Sequence, residues 1–308
     1  MTDAHLLSPS DLAQVSTFEL RARAVVEGFI TGLHKSPYHG FSVEFAEHRA
    51  YNPGDSLRHV DWKVYSRSDR LVTKRYEEET NLRQYVVLDT STSMRYQGQA
   101  GVTKLEYGAT LAAALHVLMT RQRDATGLVL FDRDVHTLVP PKSTRSHVRS
   151  LMARLSALLD LEDDDVGSET SPSRALHHVA ERIPRRSLVV VISDLFATHD
   201  DLDASVRAFR HLRHRGHEVI VLHVVDRATE WSFEVGDHPV RLRDLETGEE
   251  RTVQPAQARQ AYLDAADRFF EDVRLQCREA GVDYTVLDTA RPYAEALRAY
   301  LGKRKRLY

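Results

Sequence analysis

The chain has 308 residues, 42% hydrophobic and 28% charged, with a formal charge of -3. That length supports one large domain or a domain with an appendage, and that composition excludes a disordered or fibrous chain. The small net charge gives no long-range pull toward nucleic acid or an anionic membrane, and a lone cysteine, Cys277, excludes an internal disulfide and a C-x-x-C zinc site.

Met1 to Leu12 lacks a basic n-region followed by an apolar stretch, and no run of about 18 apolar residues occurs, so the expectation is a soluble cytoplasmic protein without membrane insertion. No His-x-x-x-His pair falls on an expected helix, which argues against a histidine metal site despite 16 histidines. Residues 1–80 open with a helical region and continue as "HGFSVEFAEHRAYNPGDSLRHVDWKVYSRSDRLVTKRYEEET". Its β-forming and aromatic residues predict a small helical and β-containing subdomain, with a tight turn at Asn52 to Asp55 and Trp62 as an anchor. Arg58, Asp61 and Lys63 are read either as partner contacts or as internal ion pairs.

Residues 81–308 alternate short apolar runs with helical periods. Strands are expected at Tyr85 to Leu88, Gly127 to Phe131, Leu188 to Ser193, Val219 to Val225 and Tyr284 to Leu287. Their near-continuous Val, Leu and Ile runs predict a mostly parallel sheet covered on both faces. Val135 to Val139 follows the tight "DRD" and reads as an antiparallel edge partner. Thr103 and Glu106 form a capping box for the next helix, and further helices are expected over Thr144 to Leu159 and Ser173 to Arg182. Thr198 can cap a helix ending near Gly216, and Pro255 opens one ending before Gly281, whose stripe puts Cys277 in the core. Trp231 to Gln254 breaks the alternation and predicts an inserted hairpin, either a recognition element or decoration. The fold class is thus α/β, a doubly wound, mostly parallel sheet of Rossmann type with an N-terminal subdomain and an inserted hairpin.

The run "VVLDTSTSM", residues 86–94, ends at an aspartate and continues as alternating hydroxyl residues. Extended backbone alternates with period two, so Asp89, Ser91 and Ser93 are expected on one side. Three hard oxygen donors with one formal charge suit Mg²⁺ or Mn²⁺ with retained waters rather than zinc. The same residue types also make helix N-caps, so this spacing by itself allows a metal site or a cap cluster. A second run, "SLVVVISDLF", ends at Asp194. In a sheet of order 3-2-1-4-5-6 the strands ending at Asp89 and Asp194 are strands 1 and 4, neighbours across the switch point where such sheets leave a crevice. The loop "GSETSPSRAL" can bring Thr170 to the same place, with Ser168 as the other donor in reach.

These residues carry a resemblance. Asp89, Ser91, Ser93, a loop threonine and Asp194 resemble the metal-ion-dependent adhesion site of von Willebrand factor A domains. The segment "EFAEHRAYNPGDSLRHVDWKVYSRSDRLVTKRYEEE" leading into "VVLDTSTSM" resembles a bacterial family known as domain of unknown function fifty-eight. The likeness departs at Thr170, which is followed by Ser171 where the pattern has aspartate. It implies that the serines and threonine bind the cation directly, that the aspartates act largely through water, and that a partner's acidic side chain completes the sphere. It further implies association with a MoxR-type AAA+ ATPase, as adaptor or cofactor, with no catalysis.

The alternative is a metal-dependent, phosphatase-like hydrolase in which Asp89 and Asp194 do the chemistry and His199 serves as acid or base. Phosphatase-type strand ends usually place a second aspartate two residues after the first, where this chain has Ser91. No G-x-S-x-G elbow, G-x-x-x-x-G-K-[ST] loop or G-x-G-x-x-G turn is present, which excludes those routes to a serine nucleophile, ATP or a dinucleotide. "DLEDDDV" at 160–166 lacks the glycine and final glutamate of a calcium loop, and the terminal "KRKR" reads as a solvated basic end or an acidic-partner contact.

Overall fold

Runs such as Leu188 to Ser193 are apolar on both faces, and only a sheet covered on both sides can bury them. The computed structural model describes residues 8–15, 17–34, 48–50, 62–68, 72–74, 82–160, 172–195, 199–245 and 248–304. Two units divide the chain, residues 1–35 together with 82–308, and residues 36–81. The first 35 residues thus group with the large unit, not with the segment to which the sequence joined them. Helix α1 (Pro9–Ala13) starts in a capping box between Ser8 and Asp11, and α2 (Phe18–His34) follows. Ala22, Val26 and Phe29 of α2 enter the main core.

In the smaller unit, β1 (His48–Ala50) pairs antiparallel with β2 (Val72–Lys74), and α3 (Trp62–Ser68) lies between them in sequence. The turn expected at residues 52–55, with Arg58 and Asp61, lies outside the described residues.

The large unit continues with β3 (Arg83–Asp89), α4 (Lys104–Arg121), β4 (Ala125–Phe131), β5 (Val135–Lys142), α5 (Arg145–Leu159), α6 (Pro172–Arg182), β6 (Leu188–Ser193) and α7 (His199–His214). After β7 (Glu218–Val225) come the hairpin strands β8 (Val240–Arg243) and β9 (Glu250–Val253), then α8 (Pro255–Glu279), β10 (Asp283–Asp288) and α9 (Tyr293–Arg304). The sheet order is β10-β7-β6-β3-β4-β5, the 3-2-1-4-5-6 order with β5 antiparallel at one edge. Pro140 and Pro141 fall on this edge strand where its register with β4 shifts between Thr126 and Leu128, and edges and bulges are where sheets tolerate proline.

One face of the sheet packs on α2, α4, α5 and α9, the other on α6, α7 and α8. Helix α4 is buried along most of its length, as a helix apolar nearly all round must be. Thr103 accepts the Glu106 N–H at 3.0 Å, but the Glu106 carboxylate turns to Arg21 of α2 at 2.7 Å, so half of the expected capping box forms. Thr144 caps α5, and Gly216 and Gly281 end α7 and α8 in the left-handed region, where glycine has no steric cost. Thr198 lies outside the described residues. Cys277 is fully buried, and burial pushes its thiol up to about 12, so it is an inert core residue. No helix among the described residues is long and apolar enough to cross a membrane.

His116 of α4 is buried, with Nδ1 2.7 Å from the Thr126 hydroxyl. Burial, with His147 adding to it, pushes its pKa down to about 3. The folded protein holds it neutral, whereas the unfolded chain protonates it below about 6.5. Its contribution is therefore intact above that value and drains away as pH falls toward 3, at about 1.4 kcal/mol per pH unit. Urea denaturation from pH 6 to 4 is expected to show a stability slope shallower by about that amount in His116→Gln than in the parent protein.

Candidate functional site

Strand β3 ends at Asp89, and the next residues do not continue the pleat. Thr90 turns its N–H and hydroxyl to the Phe131 carbonyl at 2.7 and 2.9 Å, tying the end of β3 to β4. Thr92–Arg95 then forms a short 3₁₀ turn. Ser91 and Ser93 consequently meet through this turn, with their hydroxyls 3.0 Å apart, and not through the strand alternation expected from the sequence. Ser91 stands at the N-cap position of the turn, yet its side chain makes no cap bond, and the cap of α4 is Thr103. Hydroxyls at this position are thus not consumed by capping, which removes the cap-cluster reading.

Across the switch point β3 and β6 are adjacent and parallel, so Asp89 and Asp194 meet as neighbouring strand ends. Ser193 donates its hydroxyl to Asp89 Oδ2 at 2.6 Å, and the Ser91 N–H reaches Asp89 Oδ1 at 3.0 Å. Burial first, and the Asp194 charge second, push Asp89 up to about 7. After Asp194 the chain turns sharply at Leu195, a buried non-glycine residue at φ 48°, held by its N–H bonding back to the Ser193 hydroxyl at 2.9 Å. Such left-handed backbone costs roughly 1–3 kcal/mol and tends to sit at functional sites. Thr170 and Ser168 lie outside the described residues, and so does the His199 side chain.

Two members of the site were not anticipated from the sequence. Lys104, the first residue of α4, is 2% exposed and places its ammonium 2.6 Å from Asp194 Oδ2 and 2.6 Å from Glu230 Oε1. A cation at a helix N-terminus opposes the helix dipole, which makes Lys104 an anomaly visible in principle from its place one residue after the cap. Burial would push the ammonium down, but Asp194 and Glu230 outweigh it and hold Lys104 above its ordinary value. Glu230 lies in a single π-helical turn, Arg227–Trp231, just beyond β7. Such turns recur at functional sites. Its second oxygen accepts the Asp226 N–H at 2.7 Å, its carbonyl accepts the Tyr262 hydroxyl at 2.8 Å, and Gly98 leaves room for the Asp226 carboxylate where a Cβ would come within 2.1 Å. Behind Asp194, buried His223 is pushed down to about 4 by burial and is neutral, bonded to the Tyr284 hydroxyl at 2.7 Å.

The donor set can be tested against a divalent cation. Among the described residues no cluster of three or more His, Cys, Asp or Glu side chains is placed to hold a metal, so an ion here would rely on the hydroxyls. The 3.0 Å between Ser91 and Ser93 oxygens matches the edge of an octahedron with ligands at about 2.0–2.1 Å, the size Mg²⁺ requires. Asp89, Asp194 and Glu230, with Asp226 buried close by, carry more negative charge than Lys104 offsets, which favours a cation or a proton at this point. The residues therefore fit a hard divalent ion on Asp89, Ser91 and Ser93. Asp194 is already shared with Lys104.

Lys104 neutralises two buried carboxylates, and removing one partner of such a set typically costs about 3–5 kcal/mol. Urea denaturation of Lys104→Met is expected to show a loss of that size, and Glu230→Gln added to it is expected to restore part of the loss. Strictly additive effects would mean that the ammonium and the carboxylate are not coupled.

Beside Ser93 and Lys104 opens a cavity of about 440 Å³, walled by the π-helical turn, the β8–β9 hairpin and Tyr262. The chain is similar over 300 residues to uncharacterized proteins of Mycobacterium bovis and Mycobacterium tuberculosis, at 26% identity, covering 97% of this chain and 91% of theirs. Among solved structures it is similar to BatB of Bacteroides thetaiotaomicron, at 17% identity over 73% of this chain and 99% of that one, with a TM-score of 0.47. It is also similar to the SpRpn10 VWA domain, at 12% identity over 70% and 93%, with a TM-score of 0.36. The family model described as protein of unknown function DUF58 matches residues 47–270, the greater part of the chain, which therefore belongs to that family.

Proposed function

We propose that the chain is a non-enzymatic, metal-dependent protein-binding module, holding Mg²⁺ or Mn²⁺ at Asp89, Ser91 and Ser93, with Thr170 as a further ligand and Asp194 as an outer acidic group. The observation that carries this reading is the pair of facing serine hydroxyls, unused for capping, beside buried carboxylates that outnumber the one lysine among them. Bound there, a hard divalent ion supplies an electrophilic point for a partner's carboxylate. Asp89 orients the Ser91 backbone and the Ser193 hydroxyl, and Lys104 fixes the Asp194 carboxylate. Both Asp89 oxygens are engaged in this way and the side chain is buried, which supports a holding role over the nucleophilic role that the hydrolase alternative requires.

The partner we infer is a MoxR-type AAA+ ATPase, for which the chain serves as adaptor, or another protein presenting an acidic side chain. Both the ATPase and the acidic side chain come from the family resemblance.

Magnesium or manganese at about 100 times its dissociation constant adds about 2.7 kcal/mol to a protein that binds it only when folded, which for this size raises the melting temperature by about 4 °C. Asp89→Ala and Ser93→Ala are each expected to remove that rise while far-ultraviolet circular dichroism stays unchanged. An undiminished rise in both variants would put the ion elsewhere. A tagged protein is expected to recover the AAA+ ATPase from lysate in magnesium and to lose it in EDTA.

A further inference from the structure

A second cavity, of about 410 Å³, lies where α2, α4 and α5 meet. Val117 and Arg121 on its wall stand roughly 20–25 Å along α4 from Lys104, at about 1.5 Å per residue, so it is separate from the charge cluster. Its floor is apolar: Val117 of α4 with Val148 and Met152 of α5. Its rim is charged, and the charges do not balance, since Arg23, Arg121, Arg145 and Arg149 stand against Glu19 and Glu27. Glu19 pairs with Arg23 at 2.6 Å and Glu27 with Arg121 at 3.2 Å, which uses both acids. Arg145 and Arg149 are exposed and have no ion pair with the described residues. Nor does their own helix supply a partner, because α5 carries Arg145, Arg149 and Arg154 and no Asp or Glu. Two cations are left over at this point of a chain whose formal charge is -3. A local excess of that sign favours an anionic occupant.

Spacing narrows the occupant further. Arg145 and Arg149 are four residues apart and spring from one ridge of α5, with a repeat of about 6 Å. Carboxylates at i and i+4 of a second helix repeat at the same distance. We propose that this groove receives an amphipathic helix of a partner protein, with Asp or Glu at i and i+4 against the two arginines. An apolar side chain of the neighbouring row, at i+3 or i+7, then rests on the floor formed by Val117 and Met152. Arginine suits both positions, because its planar fork holds a carboxylate by two parallel bonds. This docking surface stands without the metal-dependent reading of Asp89.

The test uses the full chain and fluorescein-labelled helical peptides of about 20 residues, long enough to hold a helix in water. One peptide carries Glu at i and i+4 with Leu at i+3, a second has Gln for both Glu, and a third has the same composition with Glu at i and i+2, on different faces. Polarisation at physiological salt is expected to show the first bound at least about tenfold more tightly than the other two. An Arg145→Gln, Arg149→Gln double variant is expected to lose that advantage with unchanged circular dichroism, while Arg154→Gln, outside the cavity, keeps it. Equal affinity for the three peptides, or an equal loss in Arg154→Gln, overturns the proposal in favour of unspecific charge attraction. No binding by the first peptide overturns it too, and pyrophosphate binding lost in the double variant would then make the occupant a phosphate ligand. So does a dimer, seen by light scattering, that the double variant dissolves, since the occupant is then a second copy.

Discussion

Charge burial at one point of the sheet governs this structure. Asp89, Asp194 and Glu230 come from the ends of three adjacent parallel strands or the turn just beyond, where the fold leaves a crevice and little water. Three ionised carboxylates cannot share such a space without cations. The chain supplies one from an improbable place, the first residue of α4, against the dipole of its own helix. The remaining imbalance shows itself in Asp89, whose proton is held to about 7 by burial and by Asp194. A proton on Asp89 and a cation held nearby are two answers to the same imbalance.

Much of the architecture could be read from the residues. Unbroken Val, Leu and Ile runs marked strands buried on both faces, and the doubly wound order 3-2-1-4-5-6 taken for them is the one found, with Asp89 and Asp194 at adjacent strand ends. What could not be read was set by contacts distant in sequence. Strand periodicity put Ser91 and Ser93 on one side, but the chain leaves the strand at Asp89 and reaches the same convergence through a 3₁₀ turn. Lys104 sat one residue past a cap that had been recognised, yet nothing local says that its side chain turns inward, because Glu230 lies 126 residues away. The amphipathic α2 carries no sign of which unit its apolar stripe will enter. Only Ala22, Val26 and Phe29 in place on the main core decide it.

The surroundings of Glu230 join the charge cluster to the rest of the site. Its carboxylate bonds Lys104, its carbonyl takes the Tyr262 hydroxyl of α8, and the neighbouring Trp231 stacks on Phe270 at 4.0 Å while its indole N–H reaches Asp267. Tyr96, whose hydroxyl reaches Thr229, closes the ring from the 3₁₀ side. The π-helical turn is therefore held at five points, and three of the groups that hold it, Lys104, Tyr96 and Tyr262, also line the cavity beside Ser93. A turn with an extra residue per winding is poor helix, and these contacts add to its own backbone bonds, such as Ser232 N–H to the Arg227 carbonyl at 2.9 Å.

Stability alone does not explain the arrangement. A buried ion pair seldom exceeds well-packed apolar residues of equal volume in stability, because desolvation offsets most of the attraction. Leucine or methionine in place of the Lys104 cluster could fill the same space. What they could not do is fix the direction of the Asp194 carboxylate, which Lys104 fixes from one side, next to a backbone turn whose left-handed Leu195 is itself strained. Strain and buried charge at the same strand end, both unfavourable to folding, have a common result: Asp194 is set in position. Lys104 is the residue that subtracts from the negative charge gathered at these strand ends.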